Sequence, residues 1–104
     1  MRLIDPPQRV FDSRSQGGRF ADGETRRISV GQSGPVFVNV TVVDPTGTGW
    51  LAVWGGGPLP SVSNVNFMHG VTIANSAWVP TSNGQIQVYV SASADVLVDV
   101  QAVG

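Results

Sequence analysis

The chain is 104 residues long, with 13 glycines, seven prolines, no cysteine and a formal net charge of −1. That is one domain's worth of sequence, residues 1–104, with a modest core that burial against neighbours would stabilise. Disulfides, thiolate chemistry and cysteine-type zinc sites are excluded, and six cations make no electrostatic case for a nucleic acid or an anionic membrane as partner.

All six cations are arginine, at positions 2, 9, 14, 19, 26 and 27. The planar guanidinium suits bidentate pairing with carboxylates and burial at interfaces. Codon usage in a GC-rich genome produces the same bias without a structural motive. No apolar stretch of signal-peptide type follows Arg2, and no run reaches the roughly 20 apolar residues of a membrane span. The chain is therefore expected to stay in the cytoplasm where it is made until another route releases it.

Along the chain, glycine and proline punctuate segments in which apolar residues alternate with period two, the mark of strands rather than helices. Strands are predicted at Arg9–Asp12 and Glu24–Val30, separated by segment 13–23, which lacks periodicity and reads as a mobile or partner-ordered loop. Val36–Val43 is the clearest strand, with Val36, Val38, Val40 and Val42 on one face and Phe37, Asn39, Thr41 and Val43 on the other. Gly49–Trp54, Val62–Phe67 and Thr72–Val79 follow. The alternations Ile86/Val88/Val90 and Val96/Val98/Val100 read as a hairpin across Ser91–Ala94. Turn residues at Asp44–Gly47, Gly55–Pro58 and Ser82–Gly84 separate these runs. About eight short strands at this spacing predict an all-β fold, an antiparallel β-sandwich or barrel.

No constellation supports catalysis. The single histidine, His69, sits in a Phe-Met-His-Gly turn, too little for a triad or a metal site. No nucleophile elbow, zincin motif or P-loop is present, so no cofactor is expected. Glycines 55–57 lead into Pro58 rather than a phosphate-cradling helix. Asp12, Asp95, Asp99 and Glu24 could in principle supply paired carboxylates. Pairing with arginine is the stronger reading, because Asp99 lies between strand valines and Arg9 or Arg14 can neutralise it or Asp12. On that reading Arg14→Ala costs stability on the scale of a broken buried ion pair.

Asn39, Asn64, Asn66 and Asn75 fall in or beside strands, where asparagine is disfavoured. They form either an internal hydrogen-bond network that pins strand register or a polar strip that reads sugar hydroxyls. Trp50 and Trp54 have parity opposite to Leu51 and Val53, so one set faces the core and the other does not. Together with Trp78, Tyr89 and the arginines Arg19, Arg26 and Arg27, they are the candidate interface residues.

The motifs in order are Arg9-Val10-Phe11-Asp12-Ser13-Arg14, Asn39-Val40-Thr41-Val42, Gly49-Trp50-Leu51-Ala52-Val53, Pro60–Phe67, Ala74-Asn75 and Asp95–Val100. This series resembles a β-rich module of actinobacterial surface and secreted proteins. Similar modules occur in virion proteins of phages that infect those bacteria. The family's usual terminal aromatic pair is missing at Asp99–Gly104, and the chain is expected to be a solitary copy of the module. The resemblance implies architecture more than activity, and a solitary, unexported copy is expected to be a non-enzymatic virion structural protein of a tailed actinobacteriophage, a capsid decoration protein ahead of a tail component. It would assemble in the host cytoplasm, form a homo-oligomer (a trimer if it occupies threefold positions) and grip the major capsid protein or another virion protein. The alternative is a carbohydrate or cell-wall binding module at the cell surface, with exposed tryptophans stacked on sugar rings. A virion part expects those indoles buried in the domain or between subunits, whereas a sugar-binding module leaves at least one exposed.

Overall fold

Period-two alternation needs a dry face to bury its valines, and two sheets packed face to face supply it. The computed structural model describes all 104 residues and contains no helix. Its eight strands are β1 (Arg2–Asp12), β2 (Thr25–Ser29), β3 (Pro35–Val43), β4 (Gly49–Trp54), β5 (Val65–Phe67), β6 (Ile73–Pro80), β7 (Gln85–Val90) and β8 (Asp95–Val103). They form two four-stranded antiparallel sheets, ordered β1-β8-β3-β6 and β2-β7-β4-β5. The sheets do not close into a barrel, so the fold is the sandwich of the two alternatives.

The core follows the predicted parity. Val36, Val38, Val40 and Val42 of β3, Ile86, Val88 and Val90 of β7, and Val96, Val98 and Val100 of β8 are all buried between the sheets. Leu51 and Val53 of β4 join them, which turns Trp50 and Trp54 outward. Ala52 shares the outward parity yet is fully buried, opposite Tyr89 in register.

Three expectations are corrected. β7 and β8 are not a hairpin: they lie in different sheets, and Ser91–Ala94 is a corner that crosses the sandwich. Both strands bury one valine face, and two such faces find more apolar contact opposed across the core than side by side. The first strand starts at Arg2 rather than Arg9, because Arg2 and Leu3 pair with Val103 and Ala102 before a register break leads to Gln8.

Segment 13–23 is also tied down rather than mobile. Ser13 is fully buried, its amide donates to the Val96 carbonyl (3.0 Å), and its hydroxyl accepts from the Val96 amide (2.9 Å). Phe20 is fully buried, bridges to Ala94 and meets Phe11 edge-on with ring centres 6.2 Å apart. A lone aromatic in a polar loop is an anchor that periodicity does not detect. Phe20→Ala should therefore cost about 3–5 kcal/mol in denaturant unfolding, the scale for deleting a buried aromatic. A floating loop would leave stability unchanged.

Candidate functional site

The sandwich has two chemically different flanks. β1 lies over β2 at one, and β5 over β6 at the other. Every Asp, Glu and Arg occurs at or before Asp44 or from Asp95 onward, so residues 45–94 carry none. The β1–β2 flank is thereby charged, and the β5–β6 flank is not.

On the charged flank most arginines are engaged inside the chain. Arg26 shares parity with the buried Ile28, so its guanidinium lies inward, 4.2 Å above the Phe20 ring centre. It donates to Glu24 at 2.7 Å and to the carbonyls of Gly18 and Arg19 at 2.7 and 3.0 Å. Arg19 lies between Asp44 (3.3 Å) and Asp95 (3.5 Å). Arg19 and Arg26, expected from sequence at an interface, thus organise the loop of their own chain. Arg27 and Arg2 are the arginines without an ion-pair partner.

The predicted polar network divides into three parts. Arg9 pairs bidentately with Asp99 (3.0 and 3.3 Å), and Arg14 pairs bidentately with Asp12 (both 3.0 Å). Arg9 also approaches Asp12 at 4.0 Å, joining the four groups in a ladder. The Asp99 register row runs across the whole sheet, from Arg9 through Asp99 and Asn39 to Ser76. There the Ser76 hydroxyl donates to Asn39 Oδ1 (3.2 Å) and accepts from Gln101 Nε2 (2.9 Å).

Asn64 and Asn75 form the second part, a clamp across the uncharged edge. Asn64 Oδ1 accepts from the Val53 amide, its own amide donates to the Leu51 carbonyl, and its carbonyl accepts from Asn75 Nδ2, each at 2.8 Å. One residue therefore ties β4 to β6 across the two sheets. Asn66 is the third part: it is exposed, meets only the Ser63 hydroxyl (3.1 Å) and takes no part in the clamp.

The aromatics sit on the outer faces in pairs. Phe37 faces Trp78 across β3–β6 with ring centres 5.1 Å apart, and Trp50 lies 4.9 Å from Tyr89 on the other sheet. None of the three indoles is in the buried core of the single chain, and Trp78 is 47% exposed. Complete burial of all three tryptophans within the domain is therefore ruled out: Trp50 and Trp54 are partly buried, and covering Trp78 requires a second molecule.

Six of the eight exposed large apolar side chains lie on the uncharged flank. They fall into two groups. Met68, Val71 and Ile73 surround the start of β6, where the Gly70 amide ties the β5–β6 loop to the Pro45 carbonyl (2.9 Å). Leu59, Val62 and Trp78 lie toward the other end, five residues or about 16 Å along β6.

At that end a cleft of about 540 Å³ opens between Trp54 of one sheet and Trp78 of the other, bordered by Gly55–Gly57, Pro58, Pro60, Asn64 and Pro80–Ser82. Its wall depends on glycine, since a β-carbon at Gly55 would collide with the Pro80 carbonyl oxygen. This cleft is the feature sequence reading missed. Its signals were the Trp-Gly-Gly-Gly-Pro run and the charge-free stretch around it. His69 is exposed in its turn, and no three metal-ligating side chains converge.

Compared with known proteins, the chain matches no family model, no curated protein and no solved structure.

Hydrogen bonding from Arg26, then from the Ala21 amide, holds the Glu24 carboxyl below the usual carboxylate range. Arg14 does the same to Asp12, whose bond in turn raises Arg14, and Asp99 raises Arg9. Depressed carboxyls contribute stability above their unfolded values, about pH 4, and lose it as pH falls through the lower folded values. The melting midpoint should accordingly drop in acid. Glu24→Gln should be less stable than the parent at neutral pH and converge with it at low pH.

Arg14 is half-exposed. Solvent screens its pair with Asp12, so the large cost expected from sequence for Arg14→Ala is replaced by a small one. Thermal melts of Arg14→Ala and Arg26→Ala check this, with the larger drop expected for Arg26→Ala.

Proposed function

We propose that this chain is a non-enzymatic virion structural protein of a tailed actinobacteriophage, a capsid decoration protein that associates with its own copies and with the major capsid protein. The observation that carries the reading is the segregation of charge. Interface cores are depleted of charged residues and enriched in aromatics and methionine. The flank carrying Met68, Val71 and Ile73 fits that description, with no Asp, Glu, Lys or Arg anywhere in residues 45–94.

The other flank argues against a nucleic-acid partner, because four of the six arginines are held by carboxylates of the chain itself. Little cationic surface is left to meet phosphates. The resemblance of the motif order to that of modules in phage virion proteins favours the same placement, on a particle assembled in the host cytoplasm. A homo-oligomer follows, with a trimer expected if the protein occupies threefold positions of a shell.

Two measurements test this. The protein should co-sediment with phage particles at a fixed, high stoichiometry, and light scattering at micromolar concentration should report an oligomer. Met68→Lys and Val71→Lys alter exposed side chains outside the core, so they should dissociate the oligomer while leaving the fold's circular dichroism unchanged. A monomer both alone and on the particle would overturn the proposal.

A further inference from the structure

The cleft between Trp54 and Trp78 has a chemistry that assembly through Met68, Val71 and Ile73 does not use, and it lies at the opposite end of β6. We propose that it is a binding site for a neutral sugar ring of a polysaccharide. This inference stands independently of the virion reading.

The apolar half of the site is two indoles, one from each sheet. Trp54 donates its Nε1–H to the Gly57 carbonyl at 3.0 Å, which fixes the indole and satisfies its polar edge. The ring face is then what it can offer a ligand. Trp78 is supported by Phe37 yet remains nearly half exposed. A pyranose presents a flat array of C–H groups on one face, which suits an aromatic wall with an apolar body.

The polar half consists of neutral groups whose free valences are defined by the bonds they already make. Asn64 Oδ1 is committed to the Val53 amide, so its NH₂ is the part without an intramolecular partner. The Thr81 hydroxyl donates to the Gly34 carbonyl at 2.8 Å and can only accept from a ligand. Ser82 Oγ makes no bond within the chain, and it is exposed at the rim. One donor, one acceptor and one group capable of both match the hydroxyls around a sugar ring.

The charge balance selects within that class. Residues 45–94 supply the whole lining and contain no ion, so a charged ligand would lose hydration without meeting a counter-charge. Arg27 belongs to a separate small niche that shares Gly55–Gly57 and Ser82 with the cleft. A purely aliphatic ligand would leave the Asn64 amide and the Ser82 hydroxyl unpaired.

The test is a titration of the full chain, followed by tryptophan fluorescence and calorimetry, with hexasaccharides of glucose and N-acetylglucosamine, a soluble mannan and, as the charged comparison, polygalacturonate. We expect a saturable response to at least one neutral sugar that exceeds any response to polygalacturonate. Trp78→Ala, at a half-exposed position, should keep the parent's circular dichroism and lose affinity about tenfold or more, as for an aromatic anchor. Trp54→Phe should weaken binding as well, and Trp50→Phe, outside the cleft, should not. No saturable response to any neutral sugar, a stronger response to polygalacturonate, or undiminished binding by Trp78→Ala would each overturn the assignment. Co-sedimentation with phage particles is unaffected by any of these outcomes, so failure here and failure of the virion reading are told apart.

Discussion

The structure depends on opposing two valine-lined sheets and closing the flanks between them. β3, β7 and β8 each present an unbroken inward row of branched apolar side chains, and a row of that kind is stable only against another. The corner at Ser91–Ala94 follows from this need: it carries the chain from one sheet to the other so that β7 and β8 face each other across the core instead of pairing. The charged loop is fixed at the same place, because Phe20 bridges Ala94 and the Ser93 amide and hydroxyl bond to Asp22 (2.6 Å) and to the Phe20 carbonyl (2.6 Å).

The two flanks are closed by different chemistry. The β1–β2 side is sealed by Phe20, capped by the Arg26 guanidinium and organised by carboxylates. Its charges are mostly spent inside the chain. The β5–β6 side is closed more lightly, by a three-residue strand and the Asn64–Asn75 clamp. Its edge strand, β6, carries no charge, and its sequence has none of the lysines that commonly blunt an exposed edge. A surface of this kind is favourable to cover, while the clamp and the glycine wall leave a cleft beside it. One flank is locked by ion pairs within the chain, and the other leaves apolar side chains exposed.

The asparagines show how one residue type serves different ends in one fold. Asn39 lies in the interior of a half-buried outer face and joins a row that crosses all four strands, which penalises a slip in register. Asn64 replaces a ladder partner where β5 is too short to pair with the end of β4. Asn66, two residues further on, has the outward parity and stays at the surface. Asn64 is bonded internally through its oxygen, and its side-chain nitrogen makes no bond within the chain where the residue lines the cleft.

Much of this was legible in the residues alone. Alternation in Val36–Val43, Gln85–Val90 and Val96–Val100 determined the strands and their buried faces, because a period of two leaves no freedom in which side chain points where. The Arg9-to-Arg14 motif also implied arginine–carboxylate pairing, since a carboxylate between strand valines needs a nearby guanidinium, but which arginine meets which aspartate came from the fold. What the tertiary structure decided is how the strands divide between two sheets. Parity specifies a face but not the partner opposite it, and so β7–β8 was misread as a hairpin. Phe20 and Ser13 were equally beyond local reading, for their roles come from Ala94 and Val96 brought near by the fold. The cleft was furthest from view, because Trp54 and Trp78 lie 24 positions apart on different sheets and meet only where the uncharged flank stays open.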